Sequence, residues 1–190
     1  MKNKIYRSVA DMEVSDTGRT IRGLAVVVDS WSKDLGGFRE MIRREALTDD
    51  LIKSSDVMLN IDHDPSKVLA RSKYGKGSLK LFLTDRGLEF ETECPNTTTG
   101  NDLLEMLRRG DYAQCSFCFT IPAEDADLWY QSSDGLCREI KKFDRLYDVS
   151  VVYDPAYDQT EVDARCKRMV QTFNKLDILE KEINAIFPYE

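Results

Sequence analysis

Short apolar runs separated by turn residues recur along the first two thirds of the sequence. Glycine-containing segments at 74–77 and 85–87 join several of these runs, which occupy 57–61, 68–72, 78–84 and 88–92. Runs of this length joined by such turns are typical of β-hairpins. The runs at 5–14 and 20–28, joined by the turn-rich segment 15–18, follow the same pattern. This spacing restricts the chain to a fold in which short strands predominate.

Helical periodicity replaces the strand pattern in three segments, 43–54, 97–110 and 161–186. We predict further strands at 115–121, 138–143 and 146–153, the last two forming a closing pair, and a surface loop over 122–135. Many short strands with two or three helices favour a strand-rich layer architecture. The predicted fold class is α+β, mainly β: a single-domain closed or curled β barrel flanked by helices.

Composition narrows the classes of function. With 190 residues the chain is long enough for one domain that buries roughly 70% of its unfolded surface. No apolar stretch approaches the ~20 residues needed to cross a bilayer, so we expect a soluble protein without membrane contact. The net charge of −7 opposes a general phosphate-binding surface, so nucleic acid is not an expected partner.

The five cysteines do not form a disulfide framework. An odd count without regular spacing favours reduced thiols in the cytosol. Cys115 and Cys118 have the spacing of a zinc or redox pair, but they fall in a predicted strand, where residues three apart point to opposite faces. A second ligand pair is missing and the chain has one histidine. We therefore predict no metal and no cofactor.

Three polar residues lie at the ends or within predicted strands, and they suggest hydrolytic chemistry. His63, the only histidine, follows the apolar run 57–61; Ser116 and Asp148 lie inside apolar strands. Burying an unpaired hydroxyl costs roughly 1–3 kcal/mol, and burying a carboxylate costs more. A catalytic triad would explain both: the serine attacks, the imidazole takes its proton, and the carboxylate orients the imidazole.

Other interpretations of these residues stay open. His63 could be a surface residue, and Ser116 a solvent-facing or space-filling residue. Asp148 could pair with a basic residue across the strands, the candidates being Arg138, Lys141 and Arg145. Ser150 is a rival nucleophile, although it shares a strand face with Asp148 and is nearer to it than a nucleophile should be.

The ordered motifs resemble those of phage prohead (capsid maturation) proteases of the HK97 type, which are related in fold to herpesvirus assemblins. The resemblance spans roughly residues 5–160, and its motifs lie at 21–25, 37–42, 59–64, 68–71, 77–81, 85–91, 115–119 and 148–157. It implies that His63 is the base, Ser116 the nucleophile and Asp148 the third member. This chain departs from the family pattern at two points. An extra residue separates Asn60 from His63, and Cys118 stands where glycine is usual. Backbone amides of the turn 154–158 are expected to hold the oxyanion.

The resemblance implies a serine endopeptidase that cleaves the scaffold portion of the major capsid protein, and itself, inside the immature capsid in the bacterial host cytoplasm. We expect residues 1–160 to form the protease core. Residues 161–190 would form a C-terminal helix that packs on it or joins a homodimer or higher oligomer. The alternative is a catalytically inactive capsid scaffold or assembly protein. An esterase of the α/β-hydrolase type is disfavoured because the Gly-x-Ser-x-Gly motif is missing.

Overall fold

A computed structural model describes residues 4–9, 12–14, 18–153, 175–176 and 178–179 of the chain. Over the described residues up to 153 it contains thirteen strands, two α-helices and one 3-10 turn at Arg44–Ala46. The strands are β1 (Ile5–Val9), β2 (Met12–Val14), β3 (Thr20–Val27), β4 (Arg39–Ile42), β5 (Asp56–Ile61), β6 (Asp64–Lys73), β7 (Lys76–Gly77), β8 (Lys80–Thr84), β9 (Gly87–Glu93), β10 (Gln114–Thr120), β11 (Asp127–Ser132), β12 (Gly135–Ile140) and β13 (Arg145–Val152). The helices are α1 (Asp49–Ser54) and α2 (Thr98–Arg109). The prediction of a mainly β chain is confirmed.

The largest sheet holds six strands in the order β1-β10-β13-β5-β6-β7. Neighbouring strands run antiparallel except β13 and β5, which are parallel. Ser116 on β10 lies opposite Ser150 on β13, and Ser150 is in register with Asn60 on β5. Because β13 and β5 run in the same direction, the chain leaves β5 at the C-terminal end of β13. His63 therefore follows a strand that ends beside β13.

Two smaller sheets pack around this one, in the orders β2-β3-β9-β8 and β11-β12-β4. Gly23 on β3 lets the Phe90 ring and Cys115 Sγ pack directly against the strand backbone. A Cβ atom at this position would lie 2.6 Å from the Phe90 ring and 3.0 Å from Cys115 Sγ. Among the described strands no sheet closes on itself. The closed or curled barrel therefore remains a prediction.

Alternation along the central strands separates an apolar face from a polar one. Residues at every second position of β10 and β13, among them Phe117 and Val149, belong to one buried apolar cluster that also includes Phe90 of the four-stranded sheet. The intervening positions carry Ser116 and Ser150. Since successive side chains of a strand point to opposite faces, the polar residues gather on the face turned away from the cluster.

The helical predictions are confirmed for one segment and corrected for another. The predicted helix at 97–110 is α2, which Thr97 caps by accepting the Gly100 N–H and which Gly110 ends with a φ of 79°. The helix predicted over 43–54 begins only at Asp49, because Thr48 accepts the Leu51 N–H and starts a separate helix. Within the described part of the chain, no helix is long and apolar enough to cross a membrane.

One loop prediction and one strand-pairing prediction were wrong. The segment 122–135, predicted as a surface loop, contains β11, which pairs with β12 along its whole length. The segments predicted to pair with each other, now β12 and β13, belong to different sheets. The polar β11 is stable because its Asp127 and Trp129 contact the buried Arg138. Hydropathy alone does not reveal a strand that is held by a buried charge.

The domain boundary predicted at residue 160 lies outside the described residues. The helix predicted over 161–186 lies there as well, apart from 175–176 and 178–179, which are helical and exposed. The division into residues 1–160 and 161–190 therefore stays a prediction.

A buried group of charges joins the third sheet to β1. The Arg138 side chain is fully buried and forms ion pairs with Glu40 and Asp127, each at 2.8–2.9 Å. Glu40 also accepts two hydrogen bonds from the Arg7 guanidinium, at 2.6 and 2.9 Å. Burial raises the pKa of Glu40, but the charges and hydrogen bonds of Arg7 and Arg138 lower it by more, so the pKa lies below its ordinary value of 4.5.

We predict that Glu40→Gln destabilises the protein by about 3–5 kcal/mol, because it leaves the Arg138 charge buried without full compensation. Urea unfolding at pH 7 measures the loss. Because the pKa of Glu40 is lowered by folding, its carboxylate stabilises the wild type above pH 4.5 and that contribution is lost as the pH falls through the lowered pKa. The variant should therefore lose less stability than the wild type on acidification.

Glu91→Gln is the matched control, since Glu91 pairs with Arg22 and Lys80 on the surface, where water screens the charges. Equal losses for the two variants would contradict a special role for the buried group.

Candidate active site

The backbone after β5 turns His63 back over the polar face of the sheet. Asp62 and His63 both adopt left-handed conformations, with φ of 52° and 56°. For residues other than glycine this costs roughly 1–2 kcal/mol each. Two hydrogen bonds hold the turn: the Asp62 N–H donates to the Val151 carbonyl at 3.0 Å, and the His63 N–H donates to Ser150 Oγ at 3.1 Å. Both acceptors lie on β13, so that strand determines where the imidazole stands.

The imidazole lies between Ser116 and Asp148. His63 Nε2 is 2.6 Å from Ser116 Oγ, and His63 Nδ1 is 2.5 Å from Asp148 Oδ1. Ser116 on β10 lies opposite Ser150 on β13, and Asp148 lies two residues before Ser150. Ser116 and Asp148 are therefore offset by two residues along the paired strands. Two residues of strand span about 6.5–7 Å, the length needed for a ring with a hydrogen bond at each end.

A bulge adjoins this arrangement. The pairing of β10 with β13 shifts between Cys118 and Phe119, so Tyr147 is an extra residue directly before Asp148. Bulges reorient the side chains next to them and are frequent beside active sites. This bulge directly precedes Asp148, so it affects the direction in which the Asp148 carboxylate points toward the imidazole.

The hydrogen-bond network assigns the protons. Asp148 as a carboxylate only accepts, so His63 Nδ1 donates to it and the Nε2 lone pair faces Ser116. Ser116 Oγ also lies 2.9 Å from the Arg7 carbonyl oxygen. A hydroxyl has one proton, so donation to Nε2 and donation to Arg7 are alternatives, and the shorter distance favours Nε2. This is the arrangement needed for an imidazole to deprotonate a serine.

The surroundings restrict access to the hydroxyl. Ser116 is buried, whereas the His63 side chain is 21% exposed. The Tyr6 ring, on β1, contacts the imidazole edge to face with centroids 4.7 Å apart. The site therefore reaches solvent at the imidazole, beside an aromatic side chain of the edge strand.

The two closely spaced cysteines do not form a shared site. Cys115 lies against Gly23 on the apolar side, whereas Cys118 lies near Tyr6 and Asp148 on the polar side. Burial raises the pKa of both thiols, that of Cys118 to about 11. Thiols of this kind are protonated at neutral pH and are poor nucleophiles and metal ligands. In the ranges that the structure describes, no group of three or more His, Cys, Asp or Glu side chains is placed to hold a metal ion.

All three residues predicted for the site lie together. Asp148 contacts His63, whereas Arg138, one of the basic residues considered as its partner, pairs with Glu40 and Asp127. Ser150 lies on the Nδ1 side of the ring, away from Nε2. Sequence reasoning missed three contacts, those of Tyr6, of the Arg7 carbonyl and of Ser150 as a hydrogen-bonding residue. The turn 154–158, predicted to hold the oxyanion, lies outside the described residues.

A hydroxyl, an imidazole and a carboxylate joined in this order are the groups of a serine-hydrolase triad. The chain belongs to the family of caudovirus prohead serine proteases, whose family model matches residues 7–175. Among solved structures, the capsid assembly protease of bacteriophage T4 is similar, with 12% sequence identity and a TM-score of 0.47 over 80% of this chain and 98% of that chain. A comparison with curated protein sequences finds no significant match.

Proposed function

We propose that this chain is a serine endopeptidase that cleaves the scaffold portion of a phage major capsid protein, and itself, during prohead maturation. One observation carries the proposal: His63 is within 2.6 Å of Ser116 Oγ and, through its other nitrogen, within 2.5 Å of Asp148. Membership of the prohead serine protease family supports the type of substrate.

The mechanism follows from the proton assignment. Ser116 Oγ attacks the scissile carbonyl carbon while His63 Nε2 takes the hydroxyl proton, and Asp148 stabilises the imidazolium. The tetrahedral intermediate collapses when the imidazolium gives that proton to the leaving amine, which produces an acyl-enzyme on Ser116. Water then repeats the sequence with His63 as base, which frees the acid product and restores the hydroxyl.

The alternative is a scaffold or assembly protein that keeps the protease fold without activity. A fold kept only for its shape has no need for a left-handed His63 whose two ring nitrogens each find a partner. Such backbone strain costs stability, and it is typical of functional sites. The hydrogen-bonded site therefore favours the active enzyme.

The proposal includes the setting of the reaction. The substrate would be encountered inside the immature capsid, in the cytoplasm of the bacterial host, with no nucleic acid or membrane as partner. A homodimer or higher oligomer would form through the helix at 161–190. The capsid setting rests on the family, and the expected lack of nucleic acid rests on the net charge of −7. A dependence of specific activity on protein concentration would test the oligomer separately from the chemistry.

We predict that Ser116→Ala and His63→Ala each abolish cleavage, because each removes a group that takes part in bond formation or proton transfer. The chain is co-expressed with a capsid protein carrying its scaffold segment, and mass spectrometry of both proteins reports cleavage sites and self-trimming. Ser72→Ala, a buried serine on β6 remote from His63, is the control and should cleave normally. Normal processing by Ser116→Ala would rule out this nucleophile.

We predict that Asp148→Asn lowers the initial cleavage rate by about 10³- to 10⁴-fold while leaving measurable activity. The amide NH₂ would donate toward Nδ1 and favour the tautomer in which Nε2 carries the proton and cannot accept from Ser116. Rates are compared with purified proteins over a time course. Asp56→Asn, which weakens a surface ion pair with Arg71, is the control. If both variants cleave at the wild-type rate, Asp148 is not the third member.

A further inference from the structure

Ser150 occupies the centre of the polar face and is fully buried. Its neighbours across the sheet are Ser116 on β10 and Asn60 on β5. It shares its strand face with Asp148, two residues earlier. A hydroxyl in this position needs hydrogen-bonding partners, because an unsatisfied buried hydroxyl is costly.

The partners of Ser150 all belong to the proposed catalytic group. Its Oγ lies 3.1 Å from the His63 backbone N–H, 3.1 Å from His63 Nδ1 and 3.1 Å from Asp148 Oδ1. The carboxylate can only accept, so the hydroxyl proton points to Asp148 and the oxygen lone pairs face the two N–H groups of His63. One side chain thus satisfies the backbone and the ring of the same histidine.

This arrangement opposes the rival interpretation of Ser150 as the nucleophile. A nucleophile must give its proton to the free lone pair of the imidazole, which is on Nε2 and faces Ser116. Ser150 meets the ring at Nδ1, the nitrogen that carries the proton. Its oxygen therefore receives a hydrogen bond from the ring, and the imidazole lone pair cannot take its proton.

We propose that Ser150 is a positioning residue: it holds the left-handed backbone of His63 and fixes the tautomer in which Nδ1 carries the proton. The backbone role follows from the hydrogen bond of the His63 N–H, which lies in a turn whose conformation is unfavourable for residues other than glycine. The tautomer role follows from the shared contact of Ser150 Oγ and Asp148 Oδ1 with Nδ1. Its kinetic consequence rests on the proposed function, whereas the tautomer itself does not.

Because the chain has one histidine, every imidazole ¹⁵N signal in its NMR spectrum comes from His63. Long-range ¹H–¹⁵N correlation of the full chain, recorded at a pH where the ring is neutral, identifies the protonated nitrogen. The wild type should show the proton on Nδ1. Ser150→Ala should shift both nitrogen signals toward values of a mixture of tautomers.

The same variant should lower the cleavage rate at saturating capsid substrate roughly ten- to a hundredfold. The half-saturating concentration should change by less than about twofold, because Ser150 is not expected to contact substrate. Ser55→Ala is the matched control. Like Ser150, Ser55 is a buried serine whose Oγ accepts a backbone N–H, but the donor is Leu146 on β13 and not His63. It should lose stability without changing tautomer or rate.

Several results would overturn the inference. One is a wild type with its proton on Nε2; another is a Ser150→Ala chain with the wild-type tautomer. Should Ser150→Ala fail to fold, Ser150→Cys keeps a side chain of similar size with a weaker hydrogen-bonding atom, and an unchanged tautomer there would be equally contrary. If the wild type folds with Nδ1 protonated but never cleaves, the proposed function fails while the positioning role is still decided by the spectra.

Discussion

The register of three adjacent strands, β10, β13 and β5, is the constraint on which the rest of the site depends. Antiparallel pairing sets Ser116 opposite Ser150, and parallel pairing sets Ser150 in register with Asn60, three residues before His63. A slip of one residue in either pairing would move the polar side chains to the apolar face. The register thus joins a hydroxyl to an imidazole 53 residues away along the chain.

Burial of apolar side chains on one face of these strands makes that register the stable one. Phe117, Phe119, Val149 and Val151 point into the apolar cluster, and the polar residues between them need no solvent because they satisfy each other. On the other side of β1, the Arg7–Glu40–Arg138 group ties the edge strand to the third sheet. Its hydrogen bonds hold Arg7, whose carbonyl oxygen is within reach of Ser116 Oγ. Charge pairing and apolar packing therefore both help to fix the position of the Ser116 hydroxyl.

Local sequence signals predicted much of the fold. The cap residues of α2 and the glycine turns around β8 and β9 are decided within a few positions, so they are readable without tertiary information. The strand β11 was missed because its stability depends on Arg138, a partner on the neighbouring strand. The pairing of β12 with β4 was missed because a parallel pair between distant segments leaves no turn to read.

The site likewise contains residues that local sequence signals could indicate and residues that they could not. His63, Ser116 and Asp148 could be selected because polar residues in apolar strands require an explanation and because their motifs resemble a known family. The role of Ser150 could not, because it depends on distances of 3.1 Å to three atoms from two segments. The contact of Tyr6 with the imidazole depends on the pairing of β1 with β10, which no local pattern specifies.

Covalent labelling with a fluorophosphonate tests the central claim most directly, because such reagents react with serine hydroxyls that an imidazole activates. We expect a single adduct on the native protein, located by peptide mapping at Ser116, and a reaction slowed to the background rate by His63→Ala. An adduct on another serine, or equal labelling of Ser116 with and without the imidazole, would contradict activation of this hydroxyl by His63.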